Sequence, residues 1–582
     1  MRADRFLTAL LILALTLPAC GGDESPDGKY DPAAPSGKAD SYYGECEIRQ
    51  VLAWVNDPEV SAQVMKDEGV HSRAANNIIE YRDGPDGIPG TGDDDYFDDA
   101  QELDDVYWVG KRAFEQMVMA VAHRCGHAPT AEVIFSPQSY SDSHLARVTE
   151  LINATHSSID IAMYSFSDYG ILEALKEAVD RGVSVRFIFE SANADRSDPA
   201  GSMSAKLEDI GIDVRYVNKI MHHKFAIFDG PRESVDDAIT GILATGSGNW
   251  SHSAGTRYDE NTIIVTGCDE LLLRFQKEFN LLWETSRDFT YTWTFEWFFS
   301  KTITEWMIPD IPVVDAAFTS ANFKTSVTRY GPTFSVIRGE NEVSDVLVDL
   351  IQNARSSIRI ASGHLRSRPV SEALMAKHAA NPDLDIRVYL DGQEYISEWY
   401  QNEQDNDLED CLEAAGDSLA RQQDCIDKGY YFCYVVHQAG IDLKFKYYAY
   451  RWDYTYAEQM HHKYFIIDGE IVAAGSYNLS DNAEHNTLEN MVIYHRVTFP
   501  QMVDAFVDNF ENLWITGDSE GYYDDLVDLI LNSTSPIPIV FDPMALNWDQ
   551  VTYLKDIIRD NCPEINSDPF RNDPASHQTC YR

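Results

Sequence analysis

One ten-residue stretch occurs twice in this chain, and the duplication constrains the fold more than any other feature. The copies run from Met221 to Gly230 and from Met460 to Gly469, and each contains His-x-Lys followed by Asp after four residues. Each copy is followed by Gly-Ser-x-Asn and then, 13 residues after that serine, by Glu-Asn. Matched spacings on this scale predict two related domains, each contributing the same set of polar residues.

The repeat defines twelve candidate site residues. Both ten-residue stretches are predicted to be strands, in which residues two apart share a face, so that each histidine lies beside a lysine. The histidines that follow, His223 and His462, face the other way and are predicted to pack or to support the site. The candidates are His222, Lys224, Asp229, Ser247, Asn249 and Glu260 in the first repeat, and His461, Lys463, Asp468, Ser476, Asn478 and Glu489 in the second.

Alternating strand and helix patterns surround each motif. In the first repeat a strand at 159–164, a helix at 171–179 and a strand at 183–189 predict an α/β sandwich. Residues 351–360 echo residues 152–161, so the duplication covers whole domains. We therefore predict an α/β fold with a first domain at 130–290 and a second at 331–518. The second domain is expected to carry an insertion at 395–458. Inserted segments normally form surface loops, so we expect this one at the surface.

The N-terminal sequence predicts export. Arg2 and Arg5 precede an apolar run, which indicates a signal peptide over 1–19. The sequence Leu-Pro-Ala-Cys ending at Cys20 resembles a lipoprotein cleavage site, so Cys20 is predicted to carry lipid and 20–45 to form a tether. The alternative is an ordinary signal peptide and a secreted protein. The eight remaining cysteines suggest disulfides, with Cys46–Cys125 and Cys562–Cys580 as plausible pairs.

Charge limits the classes of partner. The chain has 46 Lys and Arg residues against 95 Asp and Glu residues, a net charge of −49. Nucleic acids are bound largely through Lys and Arg, so this balance disfavours them, although a local basic groove would still operate.

Three further segments are expected outside the repeats. Residues 46–127 predict a small helical module whose stretch at 109–114 resembles a helix-hairpin-helix without its second glycine. Eleven carboxylates at 80–105 favour a packing or interaction role, with a solvated acidic loop preferred to a Ca²⁺ site. Residues 291–330 are predicted to form an aromatic connector, either a core face or an apolar wall for acyl chains. Residues 519–582 are predicted to form a C-terminal cap.

The duplicated His-x-Lys-x4-Asp and Gly-Ser-x-Asn motifs resemble those of the phospholipase D superfamily. The resemblance implies two domains around one active site that needs no metal or cofactor. It implies that His222 is the nucleophile and forms a phosphohistidine, and that His461 is the general acid and base. The resemblance also implies that phosphate oxygens are held by Lys224, Lys463, Asn249 and Asn478, and that these groups are supported by Ser247 and Ser476. The imidazoles are expected to be oriented by Glu260 and Glu489. A mainly structural role is expected for Asp229 and Asp468.

The function expected from this resemblance is that of a phosphodiesterase of phospholipase D type. We expect hydrolysis of phosphatidylcholine-like lipids to phosphatidate and free head group, at a membrane surface of the bacterial cell envelope. Three alternatives stay open at this point. They are an extracellular nuclease, a phosphatidyltransferase resembling cardiolipin synthase, and a catalytically inert surface lipoprotein.

Overall fold

The computed structural model describes residues 45–58, 60–89, 91, 94–121, 129–232, 235–238, 240–290, 314–328 and 331–582. The predicted signal peptide, the lipidated Cys20, the tether and the aromatic run from residue 291 lie outside the described residues. Cys125 and the side chain of Cys46 also lie outside them. The chain divides into two compact units, a small N-terminal helical unit and a large unit that contains both repeats.

The N-terminal unit is built from five helices around a small apolar core. Its buried Arg82 donates from Nη1 to the carbonyl oxygens of Val55 and Val60, at 3.1 and 2.9 Å. In the acidic loop, the Thr91 hydroxyl donates to Asp86 at 3.1 Å. The helices are α1 (Glu45–Asn56), α2 (Ala62–Asp67), α3 (Ser72–Arg82), α4 (Ala100–Asp104) and α5 (Lys111–Val121).

The first repeat forms an eight-stranded mixed sheet flanked by helices. The eight strands of the sheet are β1 (Thr130–Ser136), β2 (Ser158–Met163), β3 (Ser184–Phe189), β4 (Asp213–Tyr216), β6 (Lys224–Phe228), β7 (Ile242–Gly246), β8 (Glu260–Thr266) and β9 (Arg287–Asp288). A further short strand of this repeat, β5 (Ile220–Met221), lies outside the sheet. Its helices are α6 (His144–Ala154), α7 (Tyr169–Asp180), α8 (Ala192–Asp195), α9 (Met203–Asp209), α10 (His252–Thr256) and α11 (Asp269–Glu284). The sheet order is β1-β8-β7-β6-β2-β3-β4-β9, with β2, β3 and β4 parallel.

The second repeat has the same topology. Its strands and those that follow are β10 (Val314–Phe318), β11 (Phe323–Thr328), β12 (Gly331–Val336), β13 (Ser357–Ser362), β14 (Asp385–Asp391), β15 (Asp442–Ala449), β16 (Lys463–Ile467), β17 (Ile471–Gly475), β18 (Thr487–Leu488), β19 (Asn490–His495), β20 (Ile537–Pro538), β21 (Val540–Asn547) and β22 (Thr579–Cys580). The sheet order β10-β19-β17-β16-β13-β14-β15-β21 matches that of the first sheet position by position. The α/β fold with two related domains is therefore confirmed.

The helices of the second repeat complete the match. They are α12 (Glu342–Asn353), α13 (Arg368–Ala380), α14 (Glu398–Ala415), α15 (Leu419–Ile426), α16 (Cys433–Gln438), α17 (Asp481–Asn486), α18 (Pro500–Trp514), α19 (Tyr522–Asn532), α20 (Trp548–Asn561) and α21 (Asp568–Asn572). Among the described residues, no helix combines the length and the apolar character that crossing a bilayer requires.

Three predicted boundaries of the second repeat differ from the structure because distant segments join its sheet. Strand β10 lies in the expected connector, yet it pairs with β19 as the edge strand that corresponds to β1. Strand β15 lies inside the expected insertion at 395–458, yet it pairs in parallel with β14, so the inserted material is mainly helices α14 to α16. Strand β21, from the expected cap, forms the opposite edge against β15.

The cysteine prediction is confirmed in part. Cys562 and Cys580 form the expected disulfide, and a second bridge joins Cys411 to Cys425 across α14 and α15. Cys433 is a buried free thiol, and Cys268 is buried as well. They lie in different repeats and pack as small apolar residues within separate core clusters.

The two repeats share a hydrophobic core. One cluster joins Phe225 and Ile227 of β6 to Tyr464 and Ile466 of β16, together with the inward faces of α11 and α18. Burying apolar surface from both sheets in one cluster packs the repeats face to face. This packing brings the starts of β6 and β16, where the duplicated motifs lie, into the same region of the unit.

Candidate active site

The two motif histidines lie just before their strands. Sequence analysis predicted strands from residues 221 and 460, but β6 begins at Lys224 and β16 at Lys463. The reason is pairing between repeats: Ile220 and Met221 pair with β18 of the second repeat, and Met460 forms a bridge with Asp259 of the first. The backbone N–H of His222 donates to the Leu488 carbonyl at 3.0 Å, and that of His461 to Asp259 at 3.0 Å.

Each imidazole is hydrogen-bonded to a glutamate of the other repeat. Nδ1 of His222 donates to Oε2 of Glu489 at 2.8 Å, and Nδ1 of His461 donates to Oε1 of Glu260 at 2.8 Å. Both carboxylates are fully buried. A carboxylate bonded to Nδ1 fixes the ring and its tautomer, so Nε2 of each histidine keeps its lone pair for chemistry.

Each lysine lies beside its own histidine, as the sequence predicted. Nζ of Lys224 donates to the His222 carbonyl at 2.6 Å and lies 3.1 Å from its Nδ1. Nζ of Lys463 donates to the His461 carbonyl at 2.7 Å. Both side chains are buried, and this burial lowers the pKa of Lys224 to about 7 and that of Lys463 to about 8.

Burial also controls the charge of the imidazoles and carboxylates. It lowers the pKa of His222 well below its usual value, and the charges of Lys224 and Lys463 lower it further. Burial and the same two lysines act in the same direction on His461. Burial raises the pKa of Glu260 and of Glu489 to about 7. The imidazoles are consequently neutral at pH 7, the state that a nucleophile requires.

The serines of the Gly-Ser-x-Asn motifs support the glutamates. Oγ of Ser247 accepts the backbone N–H of Asn261 at 2.9 Å, and Oγ of Ser476 accepts that of Asn490 at 3.0 Å. Asn261 and Asn490 directly follow Glu260 and Glu489. Each serine therefore fixes the backbone that carries a glutamate, which is the supporting role expected of it.

The asparagines of the same motifs have side-chain oxygens without hydrogen-bond partners among the described residues. Oδ1 of Asn249 and Oδ1 of Asn478 are buried and have no hydrogen-bond partner among the described residues. The backbone of Asn249 is held separately, since His144 bonds its carbonyl oxygen at 2.9 Å. Buried polar groups without partners are rare in folded proteins and indicate a ligand position. The role that the resemblance implies for the amide N–H groups, holding phosphate oxygens, stays a prediction.

The aspartates of the repeated motif are not brought to the imidazoles. Asp229 and Asp468 occupy the turns that follow β6 and β16, at φ values of 48° and 57°. They are separated from the lysines by a five-residue strand, which spans about 16 Å. The carboxylate of Asp229 accepts the N–H groups of residues 156–158, and that of Asp468 accepts those of residues 355–357. Their contacts are structural.

His223 and His462, which directly follow the motif histidines, are also hydrogen-bonded to residues of the other repeat. Nδ1 of His223 is hydrogen-bonded to the side-chain amide of Asn490 at 2.9 Å, and Nδ1 of His462 to that of Asn261 at 3.1 Å. Nε2 of His223 contacts Glu278 at 3.1 Å. These histidines are buried supports, which agrees with the prediction that they point away from the lysines.

A matched pair of acidic residues was missed by sequence analysis. Oε2 of Glu190 accepts the backbone N–H of Met221 at 2.7 Å, and Oδ2 of Asp391 accepts that of Met460 at 2.9 Å. Both carboxylates anchor the segment that precedes a motif histidine. A signal was present in the sequence, because Glu190 directly follows β3 and Asp391 ends the corresponding strand β14, but the residue types differ.

The two halves of the site differ around the histidine rings. Tyr164 packs edge-on against His222 with ring centroids 4.4 Å apart, whereas Gly363 occupies the corresponding position beside His461. The two positions correspond because the backbone N–H of each donates to the carbonyl oxygen of the residue after the motif histidine. The His222 side chain is 9% exposed and the His461 side chain 18%. His222 is therefore the more tightly held of the two rings.

Comparison with known families agrees with this arrangement. A family model described as "Cardiolipin synthase, PLD-like domain" matches residues 148–283 and 347–514, more than half of the chain. The chain belongs to the phospholipase D superfamily.

Curated relatives resemble part of the chain. The mitochondrial cardiolipin hydrolase of Homo sapiens is 31% identical over 173 residues, covering 28% of this chain and 63% of the relative. The protein of the same name from Chlamydomonas reinhardtii is 30% identical over 148 residues, covering 25% and 60%. The chain thus spans about three fifths of the length of these relatives.

Two solved structures are similar in part. The phospholipase D family member Nuc from Salmonella typhimurium aligns at 25% identity and a TM-score of 0.23, covering 28% of this chain and 97% of that chain. The phosphatidylserine synthase of Haemophilus influenzae aligns at 13% identity and a TM-score of 0.41, covering 68% and 89%.

Proposed function

We propose that this protein is a phospholipase D-type phosphodiesterase that hydrolyses phospholipids to phosphatidate and the free head-group alcohol. The observation that carries the proposal is the pair of crossed hydrogen bonds, His222 to Glu489 and His461 to Glu260. They produce two neutral, oriented imidazoles with a lysine beside each. A phosphodiester requires this combination of a nucleophile, a proton donor and cations for its oxygens.

In the first step, Nε2 of His222 attacks phosphorus and a P–N bond forms. The bond from phosphorus to the head-group oxygen breaks, and that oxygen takes a proton from His461. The bound anionic phosphodiester and Glu260 both favour the protonated form of His461. In the second step a water molecule attacks phosphorus, His461 accepts its proton, and His222 leaves, so that phosphatidate is released.

The remaining side chains stabilise the charge that develops on phosphorus. Lys224 and Lys463 supply two ammonium groups, and the side-chain N–H groups of Asn249 and Asn478 are expected to donate to the phosphate oxygens. Burial lowers both pKa values, whereas an anion between the lysines favours their charged forms. Binding and catalysis thus use the same electrostatic feature.

Asymmetry between the two rings supports the roles assigned to them. His222 is held by Glu489, by Lys224 and by the edge of Tyr164. A nucleophile gains from being fixed in one orientation, because the reacting atoms must approach closely and in line. His461 is more exposed, as is appropriate for a residue that must reach a departing alcohol and then an incoming water.

The lipid class is a further part of the proposal. From the sequence we expected a phosphatidylcholine-like substrate. Cardiolipin is the second candidate, and it is favoured by the description of the matching family and by the names of the relatives. A nuclease activity is disfavoured by the net charge of −49.

We also propose that the protein is exported and held at the cell envelope through lipid on Cys20, close to a phospholipid surface. Metabolic labelling with a fatty-acid analogue tests this proposal. Label on the wild-type protein and none on Cys20→Ala would support the anchor, and an unlabelled, secreted wild-type protein would contradict it.

The activity is tested by incubating the purified protein with vesicles of phosphatidylcholine, vesicles of cardiolipin, and single-stranded DNA, all in the presence of EDTA. We expect head-group release from lipid by the wild-type protein, and none by His222→Ala or His461→Ala. The matched control is His437→Ala, a histidine on α16 that stacks on Trp548. Release of nucleotides instead of head groups would move the assignment to a nuclease, and no product from any substrate would overturn the enzymatic role.

A further inference from the structure

The second repeat contains a charged cluster that the first repeat lacks. His364, Arg366 and the fully buried Glu394 are joined by hydrogen bonds just beyond strand β13. Counting from the corresponding residues Tyr164 and Gly363, the first repeat has serines in place of His364 and Arg366. The cluster therefore breaks the symmetry of an otherwise duplicated site.

The cluster lies next to His461. A Cβ atom added to Gly363 would lie 2.9 Å from the carbonyl oxygen of Met460 and 3.8 Å from Cα of His461, so this backbone runs directly against the motif. His364 is the next residue. Its charge is among the groups that lower the pKa of His461, after burial and the charges of Lys463 and Lys224.

Glu394 organises the cluster. Its Oε1 accepts Nδ1–H of His364 at 2.9 Å and Nη2–H of Arg366 at 2.5 Å, and its Oε2 accepts the backbone N–H of Leu365 at 3.1 Å. Burial opposes the ionisation of Glu394, but the hydrogen bonds and charges of His364 and Arg366 lower its pKa to about 2. The carboxylate is therefore ionised at every physiological pH, and it fixes both side chains.

Polar atoms without partners remain on both of these side chains. Among the described residues, Nε2 of His364 and Nη1 of Arg366 have no hydrogen-bond partner. The guanidinium lies over the ring of Tyr431 at 4.1 Å, which fixes its plane. The side chains of His364 and Arg366 are 27% and 22% exposed, so a ligand can reach them. The guanidinium of Arg366 thus offers a charged donor at Nη1, and Nε2 of His364 lies on the same carboxylate-held cluster.

We propose that His364 and Arg366 form a second anion-binding subsite, beside the catalytic His461, for an anionic group on the head group of the lipid. The inference rests on the proposed function, in which His461 protonates the departing head-group oxygen, because a group beside His461 then faces the head group. The shared chemistry of the ligand is an anionic oxygen group, either a second phosphodiester, as in cardiolipin, or a carboxylate, as in phosphatidylserine.

The test compares the wild-type protein with His364→Ser, which places the first repeat's residue at this position, and with the control His437→Ser. Initial rates are measured on vesicles of cardiolipin, phosphatidylserine and phosphatidylcholine. We expect His364→Ser to lose about tenfold in kcat/KM on an anionic head group, mainly through KM, since a charge-assisted hydrogen bond is worth about that much. Activity on phosphatidylcholine should change less than about twofold, within the range of substitutions away from such contacts.

The lipid arms separate the possible ligands. A loss on cardiolipin alone assigns the subsite to phosphate, and a loss on phosphatidylserine as well extends it to carboxylate. An equal loss on all three lipids would mean that the cluster has only a structural role and would overturn the proposal. So would unchanged kinetics on all three.

A binding measurement keeps the inference separate from catalysis. Calorimetric titration with glycerol 1,3-bisphosphate and with glycerol 3-phosphate reports the second anion directly. We expect the wild-type protein to prefer the bisphosphate by about tenfold and His364→Ser to lose this preference. If no lipid is cleaved but this difference appears, the proposed function fails while the subsite stands. Equal affinities of the wild-type protein for both probes would overturn the subsite.

If His364→Ser unfolds, His364→Gln, which retains a donor toward Glu394, replaces it in both assays.

Discussion

Nδ1 of His222 and Oε2 of Glu489 are 2.8 Å apart, although 267 residues separate them in the chain. The same bond recurs between His461 and Glu260, which are 201 residues apart. Neither repeat contains a complete dyad of its own. The duplication is therefore a working part of the site, because each half orients the imidazole of the other.

The crossed dyads predict that the two glutamates affect different steps. Glu489→Gln disturbs His222 and should slow formation of the phosphohistidine. Glu260→Gln disturbs His461, which acts in both steps, so formation and breakdown should both slow and more of the covalent intermediate should be present than in Glu489→Gln. Each loss should be about 10²- to 10⁴-fold, as for other carboxylates that orient a catalytic histidine. Rapid quenching with intact-mass spectrometry measures the intermediate, and equal amounts of adduct in both variants would refute the division of roles.

The pH dependence of kcat/KM follows from the shifted pKa values. Lys224 and Lys463 have pKa values of about 7 and about 8, so their positive charges are lost as the pH rises through this range. Glu260 and Glu489 have pKa values of about 7, so their orienting carboxylates are lost as the pH falls below it. A bell-shaped profile with its maximum near neutrality is expected. A rate that stays constant from about pH 5 to about pH 9 would exclude this account, given the range in which such groups titrate.

Because these carboxylates are buried, their negative charges should lower the free energy of unfolding at neutral and higher pH. The folded-state pKa of Glu489 is raised from 4.5 to about 7, so the folded protein binds the proton more tightly than the unfolded chain does. The free energy of unfolding should therefore increase as the pH falls from about 7 towards 4.5. Glu489→Gln removes the buried charge. At pH 8 its free energy of unfolding should equal that of the wild-type protein or exceed it by about 1–3 kcal/mol at most.

That difference should shrink at pH 5, where the wild-type glutamate is itself protonated in the folded state. Thermal denaturation at the two pH values measures it. A variant that is much less stable than wild type at both values would show that the glutamate stabilises the fold rather than serving the site.

Asp229 is predicted to matter for stability and not for chemistry. Its carboxylate holds the N–H groups of residues 156–158 and the Ser157 hydroxyl, on a turn remote from His222. Asp229→Asn should lower the free energy of unfolding by about 1–2 kcal/mol, reduced from the full value for a charged acceptor because the group is partly exposed. Chemical denaturation measures this loss.

The matched control for that prediction is His222→Asn. It should abolish turnover while leaving the midpoint of denaturation nearly unchanged, the reverse of Asp229→Asn. If Asp229→Asn loses activity as completely as His222→Asn while remaining stably folded, the aspartate belongs to the chemistry after all.

Much of the site could be predicted from the sequence because the motif spacing is local. Extended geometry placed Lys224 beside His222 and Lys463 beside His461, and the structure confirms both contacts. The repeated Glu-Asn after each Gly-Ser-x-Asn identified the two glutamates, and the strand and helix patterns identified two α/β domains. These features depend on neighbouring residues, whose geometry the chain itself restricts.

Tertiary structure alone decided which glutamate serves which histidine. It also decided that Asp229 and Asp468 anchor distant turns, that β15 and β21 complete the second sheet, and that His364 and Arg366 gather on Glu394 beside His461. The physical reason is that these pairings join residues tens to hundreds of positions apart. They are fixed only when the two sheets bury their shared apolar core, and no local pattern of residues specifies the resulting register.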